Sequence, residues 1–186
     1  MAEVEFRLHG RGGQGVVMAA DIFAAAVFKE GWYARSLCSF GAERRGAPVT
    51  AFIRMSKHRL MPRCGIYQPD YLICFDPSLL EITGLQPGAT VVINTSGIND
   101  KQWESYRLTY NLWILDARAV ALKYNLTSGG LPMVNTALLG ALSKASGLSS
   151  PESLQEVIKQ RGLKPLAGNL QAVEQGYHLV EEAFGN

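Results

Sequence analysis

The chain has 186 residues, 47% of them hydrophobic and 18% charged, so we expect a single domain over residues 1–186 with a full core. Its 18 basic and 16 acidic side chains leave a net charge of +2, too small for a general nucleic-acid-binding surface. No stretch approaches the roughly 18 apolar residues that a membrane span needs, and the N-terminal residues lack the basic and apolar regions of a secretory signal.

The first half of the chain alternates between strand and helix patterns, interrupted by glycine-rich turns and by a break from Gly41 to Pro48. The predicted elements are a strand over Val4–His9, a buried alanine-rich helix over Val16–Lys29, strands over Tyr33–Phe40 and Pro48–Arg54, a buried strand over Tyr71–Phe75 and a helix over Ser78–Ile82.

The second half continues the alternation of short apolar strands with helices. It predicts strands over Thr90–Asn94 and Tyr110–Leu115 and helices over Asp116–Tyr124, Val134–Ser146, Pro151–Arg161 and Asn169–Phe184. Apolar strands that alternate with helices are typical of a parallel sheet covered on both faces. We therefore expect an α/β fold, a Rossmann-like three-layer α/β/α domain with a largely parallel sheet. The pattern is less regular near the middle of the chain, so a mixed sheet is the alternative.

The strongest local motif is the glycine turn from Gly10 to Gly15, with the sequence GRGGQG. It matches G-x-G-x-x-G and lies in the context that this motif requires, directly after a strand and at the start of a helix. Glycines let the backbone approach a ligand closely, and a helix N-terminus favours an anion. The turn is therefore a candidate site for a phosphate-bearing ligand.

A nicotinamide dinucleotide site also needs an acidic residue about 20 positions further on, at the end of the second strand. The segment Tyr33–Leu37 contains no carboxylate, Glu30 comes too early, and Glu43 follows the strand in a loop. Besides nicotinamide dinucleotide binding, which lacks its carboxylate here, the motif alone leaves two interpretations. The turn binds another phosphate-bearing ligand, or its glycines serve only the close packing of helix against strand.

The second unusual segment is the charged loop from Ser39 to Pro48, which places Glu43, Arg44 and Arg45 between glycines. One arginine can pair with the glutamate while the other contacts a phosphate or a partner carboxylate with two parallel hydrogen bonds. The plain alternative is a solvated surface loop.

No catalytic group is evident in the sequence. The three histidines, His9, His58 and His178, are scattered outside any Ser/His/Asp or Cys/His arrangement, although His9 ends a strand beside the glycine turn and is either structural or part of the site. The three cysteines match neither a zinc site nor a cluster motif, so we expect all three to be packing residues with reduced thiols in the cytoplasm: Cys38, Cys64 and Cys74.

Taken together, these motifs resemble the gamma subunit of the 2-oxoacid:ferredoxin oxidoreductases, the pyruvate:ferredoxin oxidoreductase family. The resemblance covers nearly the whole chain. It rests on His9–Gly15, Phe40–Val49, Pro69–Tyr71, Asp76–Pro77, Val134–Gly140, Asn169 and Gly176.

The resemblance implies a multi-subunit enzyme that oxidatively decarboxylates a 2-oxoacid and passes the acyl group to coenzyme A. Thiamine diphosphate and [4Fe-4S] clusters then belong to partner subunits of the thiamine diphosphate-binding and ferredoxin-like kinds. The corresponding family domain is associated with coenzyme A, whose phosphates the turn and loop could hold. The cofactor-facing residues expected here are Gly10, Arg11, Gly12, Gly13, Gln14, Gly15, Ser39, Phe40, Gly41, Glu43, Arg44 and Arg45.

Two alternatives remain at this point. The chain is a structural docking subunit in which Glu43, Arg44 and Arg45 form an ion-pair cluster with a partner, or it is a stand-alone nucleotide-binding oxidoreductase. The second alternative requires the isolated chain to bind NAD(H), which a calorimetric titration tests. The sequence selects neither the 2-oxoacid nor the electron acceptor.

Overall fold

The computed structural model describes residues 3–40, 46–58, 64–80, 82, 84–97, 103 and 106–183. Within them, the strands are β1 (Val4–Arg11), β2 (Tyr33–Phe40), β3 (Pro48–Ser56), β4 (Tyr71–Cys74), β5 (Thr90–Asn94), β6 (Asn111–Leu115), β7 (Thr127–Ser128), β8 (Leu131–Pro132) and β9 (Glu181–Glu182). The helices are α1 (Val16–Lys29), α2 (Ala117–Lys123), α3 (Asn135–Ser146), α4 (Pro151–Arg161) and α5 (Leu166–Leu179).

The main sheet of the described part has seven strands in the order β2-β3-β1-β4-β5-β6-β9. Its centre is parallel, from β1 through β4 and β5 to β6. Antiparallel strands extend it on both sides, since β3 pairs with β1 and β2, and the two-residue β9 pairs with β6. The predicted α/β class and the largely parallel sheet with mixed pairing are both confirmed.

Along the central strands, successive side chains point to opposite faces of the sheet and pack into two separate cores. Because both faces are covered, these strands are apolar without interruption. Ile73 and Val92 belong to the larger cluster, formed with helices on one face of the sheet. Their neighbours Leu72 and Val91 belong to a smaller cluster on the opposite face, where Trp103 and other aromatic side chains pack. All five helices of the described part contribute to the larger cluster, whereas the smaller cluster is covered there by partly buried side chains such as Trp103 and Tyr106.

Helices α3 and α5 cross at two glycines. A Cβ placed on Gly140 would lie 2.0 Å from the carbonyl oxygen of Val173, and one placed on Gly176 would lie 2.0 Å from that of Ala137. Any side chain at these positions would collide with backbone, so glycine is what allows the two helices to approach this closely. A buried hydrogen bond at 3.2 Å between the Thr136 hydroxyl and the Asn169 amide oxygen joins the same two helices.

Two predicted helices are wrong in extent. The segment predicted as a helix over Ser78–Ile82 forms, where it is described, only the 3-10 turn Pro77–Leu79, and the backbone is extended again at Leu80. Five residues are too few to offset the unfavourable nucleation of a helix. The last helix was predicted over Asn169–Phe184 but spans Leu166–Leu179, because the chain becomes extended at the buried Val180 and then pairs with β6.

The cysteines are only partly the packing residues that we expected. Cys74 is buried in β4, and burial raises the pKa of its thiol to about 12. Cys38 and Cys64 are exposed, so the expectation is wrong for them. Cys38 belongs to β2, the end strand of the sheet in the described part of the chain, and its residues there are less covered than those of the central strands. No helix in the part of the chain that the structure describes is both long and apolar enough to cross a membrane.

Candidate functional site

The glycine turn between β1 and α1 is tightly closed on itself. The Gln14 N–H donates to the Arg11 carbonyl at 3.0 Å, and the Gln14 side-chain oxygen accepts from the Arg11 N–H at 2.7 Å. Gly13 and Gly15 have φ angles of 98° and 79°, a region that glycine adopts without steric penalty. Helix α1 begins directly after Gly15 and has no side-chain cap.

The first turn of α1 keeps its donors available. Within the described residues, no acceptor is found for the N–H groups of Val16, Val17 and Met18, and the first intrahelical bond is from Ala19 to the Gly15 carbonyl. The same turn contains no acidic residue. Unpaired N–H groups and the positive end of the helix dipole together favour a bound anion.

Gly10 has a packing role. A Cβ at this position would lie 2.5 Å from the Val16 side chain and 2.9 Å from Cβ of Phe75, both closer than real Cβ contacts. The interpretation that the glycines permit close packing of helix against strand therefore holds for Gly10. Gly13 is exposed, and its φ of 98° gives a separate, conformational reason for glycine at that position.

Arg11 binds within the chain. Its Nε donates to the Asp76 carboxylate at 2.5 Å, one terminal nitrogen donates to the Gly46 carbonyl at 3.2 Å, and the other donates to the Ser78 hydroxyl at 2.9 Å. The side chain thus ties the glycine turn to the segment after β4 and to the charged loop. We therefore regard Arg11 as a residue that positions the turn.

Asp76 and Ser78 complete this arrangement, and our sequence reasoning assigned neither of them to the site. Asp76 accepts from both the N–H and the hydroxyl of Ser78, at 3.0 and 2.7 Å. Partial burial raises the pKa of Asp76, but hydrogen bonds from Ser78 and Arg11 outweigh burial and hold the pKa below its usual value. The pair Asp76–Pro77 directly after a buried strand was the available indication.

The charged loop lies beside the glycine turn at both of its described ends. Phe40 pairs with Val49, which pairs in turn with Gly10 of β1. At the C-terminal end of the loop, the Gly12 N–H donates to the Ala47 carbonyl at 2.8 Å, and the Gly46 N–H donates to the Gly12 carbonyl at 3.0 Å. The glycine turn and the charged loop therefore meet at the same end of the strands β1, β2 and β3. Ser39 also belongs to β2, whereas Gly41, Glu43, Arg44 and Arg45 lie outside the described residues.

The topology around the turn differs from that of a dinucleotide-binding unit, in which the second strand lies parallel to the first and beside it. Here the antiparallel β3 lies between β1 and β2. The end of β2 is therefore about 10 Å from β1, two strand spacings away. This separation and the missing carboxylate argue against the ribose contact of a nicotinamide dinucleotide.

The histidines stay apart. His9 is 7% exposed, and its Nδ1 lies 3.1 Å from the Leu79 carbonyl oxygen, which supports the structural interpretation of this residue. His178 lies on α5, where it pairs with Glu174 of the same helix at 2.9 Å. In the described ranges, no group of three or more His, Cys, Asp or Glu side chains is arranged to hold a metal ion.

The chain matches a known protein family over most of its length. Residues 5–179 match the family model described as pyruvate ferredoxin/flavodoxin oxidoreductase, which includes the glycine turn and all five helices of the described part. The chain therefore belongs to the pyruvate ferredoxin/flavodoxin oxidoreductase family.

Its relatives specify the type of subunit. The chain is 42% identical to the pyruvate/ketoisovalerate oxidoreductases common subunit gamma of Thermococcus kodakarensis, over 97% of this chain and 95% of that protein. It is similar to the crystal structure of pyruvate oxidoreductase subunit PORC from Thermotoga maritima, with a TM-score of 0.80, 28% identity and coverage of 97% and 98%. The predicted resemblance to gamma subunits is confirmed, and the chain is one subunit of an oxidoreductase complex.

The same fold also occurs inside a longer chain. The 2-oxoglutarate:ferredoxin oxidoreductase of Magnetococcus marinus, solved with 2-oxoglutarate, coenzyme A and succinyl-CoA bound, matches with a TM-score of 0.76 and 23% identity. The match covers 96% of this chain but 31% of that one. At this identity the likeness concerns the fold.

Proposed function

We propose that this chain is the gamma subunit of an enzyme that oxidatively decarboxylates a 2-oxoacid to the acyl-coenzyme A and passes the electrons to ferredoxin or a similar acceptor. The family match over residues 5–179 supports the enzyme class. Thiamine diphosphate and [4Fe-4S] clusters supply decarboxylation and electron transfer, and we assign them to partner subunits. We place the complex in the cytoplasm, a reducing compartment that suits the three free cysteines.

The name of the Thermococcus relative describes one gamma subunit common to pyruvate and ketoisovalerate oxidoreductases. A subunit shared in this way does not need to distinguish the side chains of the two oxoacids. We therefore propose that other subunits select the substrate, which is pyruvate or another aliphatic or aryl 2-oxoacid such as phenylglyoxylate.

The contribution that we propose for this chain is to bind coenzyme A and to help assemble the complex. The observation that supports it is the junction of two segments, since the glycine turn and the charged loop are joined by hydrogen bonds through Gly12, Gly46 and Ala47. Gly46 and Ala47, which contact the turn, directly follow Arg44 and Arg45 in the sequence, and in our proposal these arginines act together with the unpaired N–H groups of α1. Together they provide donors and positive charge for phosphate groups.

Coenzyme A carries a diphosphate and a 3′-phosphate, which are the kind of anions that such donors bind. The Magnetococcus enzyme contains the same fold and was solved with coenzyme A bound, which supports the choice of ligand. In our proposal the backbone of the turn approaches one phosphate group while an arginine of the loop contacts another.

Replacing Arg44 and Arg45 together by alanine tests the ligand role. We expect the KM for coenzyme A in the assembled complex to rise roughly 10- to 150-fold, the loss of one charged hydrogen bond of about 1.5–3 kcal/mol. Decarboxylation of the 2-oxoacid measured without coenzyme A should stay largely unchanged, because the substitutions alter only the proposed coenzyme A contact. Steady-state and single-turnover measurements on the same complex separate the two effects.

A matched control removes the same amount of charge elsewhere, with Lys144 and Lys159 replaced by alanine. Both residues are exposed, and neither belongs to the turn or the loop. The control should leave the coenzyme A KM within about twofold, since exposed charges further apart than about 10 Å are largely screened at ordinary salt. An unchanged KM in the arginine variant would remove the ligand role of these arginines.

The second candidate function is that of a purely docking subunit. It is favoured because Arg11 and Gly10 make their contacts within the chain and serve its packing. Under this alternative, Glu43, Arg44 and Arg45 form ion pairs with a partner subunit, and the arginine variant loses its partners. Co-purification of the complex with the variant chain distinguishes the two functions. Retained assembly with a raised KM supports coenzyme A binding, whereas lost assembly supports docking.

A further inference from the structure

The two ends of the main sheet differ in how well they resist pairing with a further strand. In the described part of the chain, β9 forms one end and β2 forms the other. β9 consists of two residues, both glutamates, Glu181 and Glu182, whereas β2 extends over the eight residues Tyr33–Phe40. Short and charged end strands are common means by which proteins prevent edge-to-edge association. The sheet is therefore protected at β9 and long enough at β2 to accept a further strand.

β2 also lacks the residues that usually protect an end strand. Its sequence, YARSLCSF, contains no proline, no lysine and no carboxylate, and Arg35 is its only charged residue. The whole strand pairs residue for residue with β3, from Tyr33 opposite Ser56 to Phe40 opposite Val49, without a bulge. In an antiparallel ladder, every second residue of an end strand directs its N–H and C=O groups away from the sheet. The outer side of β2 therefore presents a regular row of hydrogen-bonding groups to an extended chain.

The segments that remain in the chain are too short to pair along the whole of β2. Within the described ranges, β2 is hydrogen-bonded as a strand only to β3. The longest segments outside those ranges are 41–45, 59–63 and 98–102, with five residues each, and β2 has eight. A strand that covers β2 from end to end therefore comes from outside residues 1–186.

A surface notch lies beside this strand, between α1 and β2. Its volume is about 110 Å³, and it is lined by Val17, Ala20, Asp21, Ser36, Leu37 and Cys38. Two polar groups of the lining are bonded to each other, since the Ser36 hydroxyl donates to the Asp21 carboxylate at 2.5 Å. The rest of the lining is aliphatic apart from the Cys38 thiol, so the notch suits one aliphatic side chain. In recognition by strand addition, backbone hydrogen bonds provide the affinity and such pockets select the side chain.

A second copy of this chain fits the notch poorly. Residues directly opposite each other in a strand pair point to the same face of the sheet. In the middle of β2, the residues on the face of the notch are Ala34, Ser36 and Cys38, all of them small. Two copies paired along most of β2 would leave the notch unfilled and lose the packing contacts that favour association. A different chain with a larger aliphatic residue at this position fills it.

We propose that β2 docks an extended segment of another subunit of the oxidoreductase complex. The segment adds an eighth strand to the seven of the main sheet and inserts an aliphatic side chain into the notch between α1 and β2. The proposal uses the place of the chain in a complex and does not depend on coenzyme A binding. A failed docking test therefore leaves the proposed coenzyme A site untouched.

The cysteines provide a direct test on the wild-type chain. Cys38 and Cys64 are exposed and Cys74 is buried, so N-ethylmaleimide should label the first two in the isolated full chain and leave the third unlabelled. In the assembled complex, we expect labelling of Cys38 to slow by about tenfold or more, because the added strand covers the thiol. Mass spectrometry of the three cysteine peptides measures the rates. Unchanged labelling of Cys38 in the complex would overturn the proposal.

Amide hydrogen exchange distinguishes a paired strand from other kinds of cover. An added strand engages the outward N–H groups of β2, so exchange over residues 33–40 should slow by about tenfold or more in the complex. Protection of Cys38 without slower exchange would show a cover that makes no strand pairing, which contradicts the proposal. A dimer of the isolated chain in sedimentation, with Cys38 already protected, contradicts it too, because the occupant is then a second copy.

Cys38→Lys places a charge on the outer strand, as protected end strands do. Cys38 is exposed, so the variant should unfold close to the wild-type temperature. We expect it to bind its partner subunits about tenfold or more weakly, because the ammonium group would lose its water beneath the added strand. Thr127→Lys is the matched control, since it adds the same charge to an exposed strand residue outside the main sheet.

Co-purification over a range of subunit concentrations measures both affinities. The control should assemble as the wild type does, and wild-type assembly of Cys38→Lys would also overturn the proposal. If Cys38→Lys fails to fold, the labelling and exchange measurements on the wild-type chain decide the question.

Discussion

Gly176→Ala should destabilise the protein, although alanine is the better helix former. The added Cβ would lie 2.0 Å from the Ala137 carbonyl oxygen, about 1.4 Å short of the 3.4 Å at which ordinary contact begins. The atom it meets is backbone, which cannot rotate away, so α3 and α5 must move apart. This separation loosens the larger core cluster, to which α3 contributes Leu138 and α5 contributes Val173.

The magnitude follows from two opposing terms. Overpacking of a core typically destabilises by about 1–3 kcal/mol, and this contact belongs at the upper end because the backbone has to shift. The higher helix propensity of alanine returns about 1 kcal/mol. We therefore expect a net loss of about 2 kcal/mol, which for a chain of this size lowers the melting temperature by roughly 4–8 °C.

Thermal and urea unfolding of the full chain measure the effect. Gly97→Ala is the matched control, because nothing lies within 4 Å of the new Cβ and the backbone there needs no positive φ. The control should melt within about 1 °C of the wild type, the usual range for surface substitutions. If Gly176→Ala melts at or above the wild type, the helices are not as close as described and the explanation of this glycine is wrong.

Two further predictions concern pH, and both follow from carboxylates whose pKa is lower in the folded protein. At neutral pH, Asp76→Asn should be less stable than the wild type. The difference in unfolding free energy should shrink as pH falls below about 3.9, the ordinary pKa, and vanish below the lower pKa of the folded protein. Protonation of Asp76 then removes the same charge from the wild type. Urea unfolding between pH 7 and 3 measures this, and a constant difference would contradict it. Glu30 accepts from the hydroxyl of Ser153 and from the hydroxyl and N–H of Ser150 at the start of α4, and these bonds lower its pKa. Glu30→Gln should therefore show a smaller version of the same pH dependence, below about pH 4.3, and equal slopes for variant and wild type would refute it.

The sequence predicted the elements with strong periodicity or clear boundaries well. Val16–Lys29 and Pro151–Arg161 coincide with their helices, since each has a glycine shortly after its end and a consistent buried face. Prediction was weakest where tertiary contacts decide the structure. Val180 continues an apolar helical pattern but becomes extended because β6 offers an edge to pair with.

The site was predictable only in part, for a similar reason. The glycine turn is visible as a motif because its residues are consecutive. The ion pair of Arg11 with Asp76 spans 65 residues, and no local pattern indicates it.

The central proposal is that this chain binds coenzyme A where the glycine turn meets the charged loop. The most direct measurement is an experimental structure of the assembled complex with coenzyme A bound. We expect a phosphate oxygen within about 3 Å of a first-turn N–H group of α1, the ordinary hydrogen-bond distance. Coenzyme A bound with all of its phosphates on other subunits, away from Gly10–Gly15, would contradict the claim.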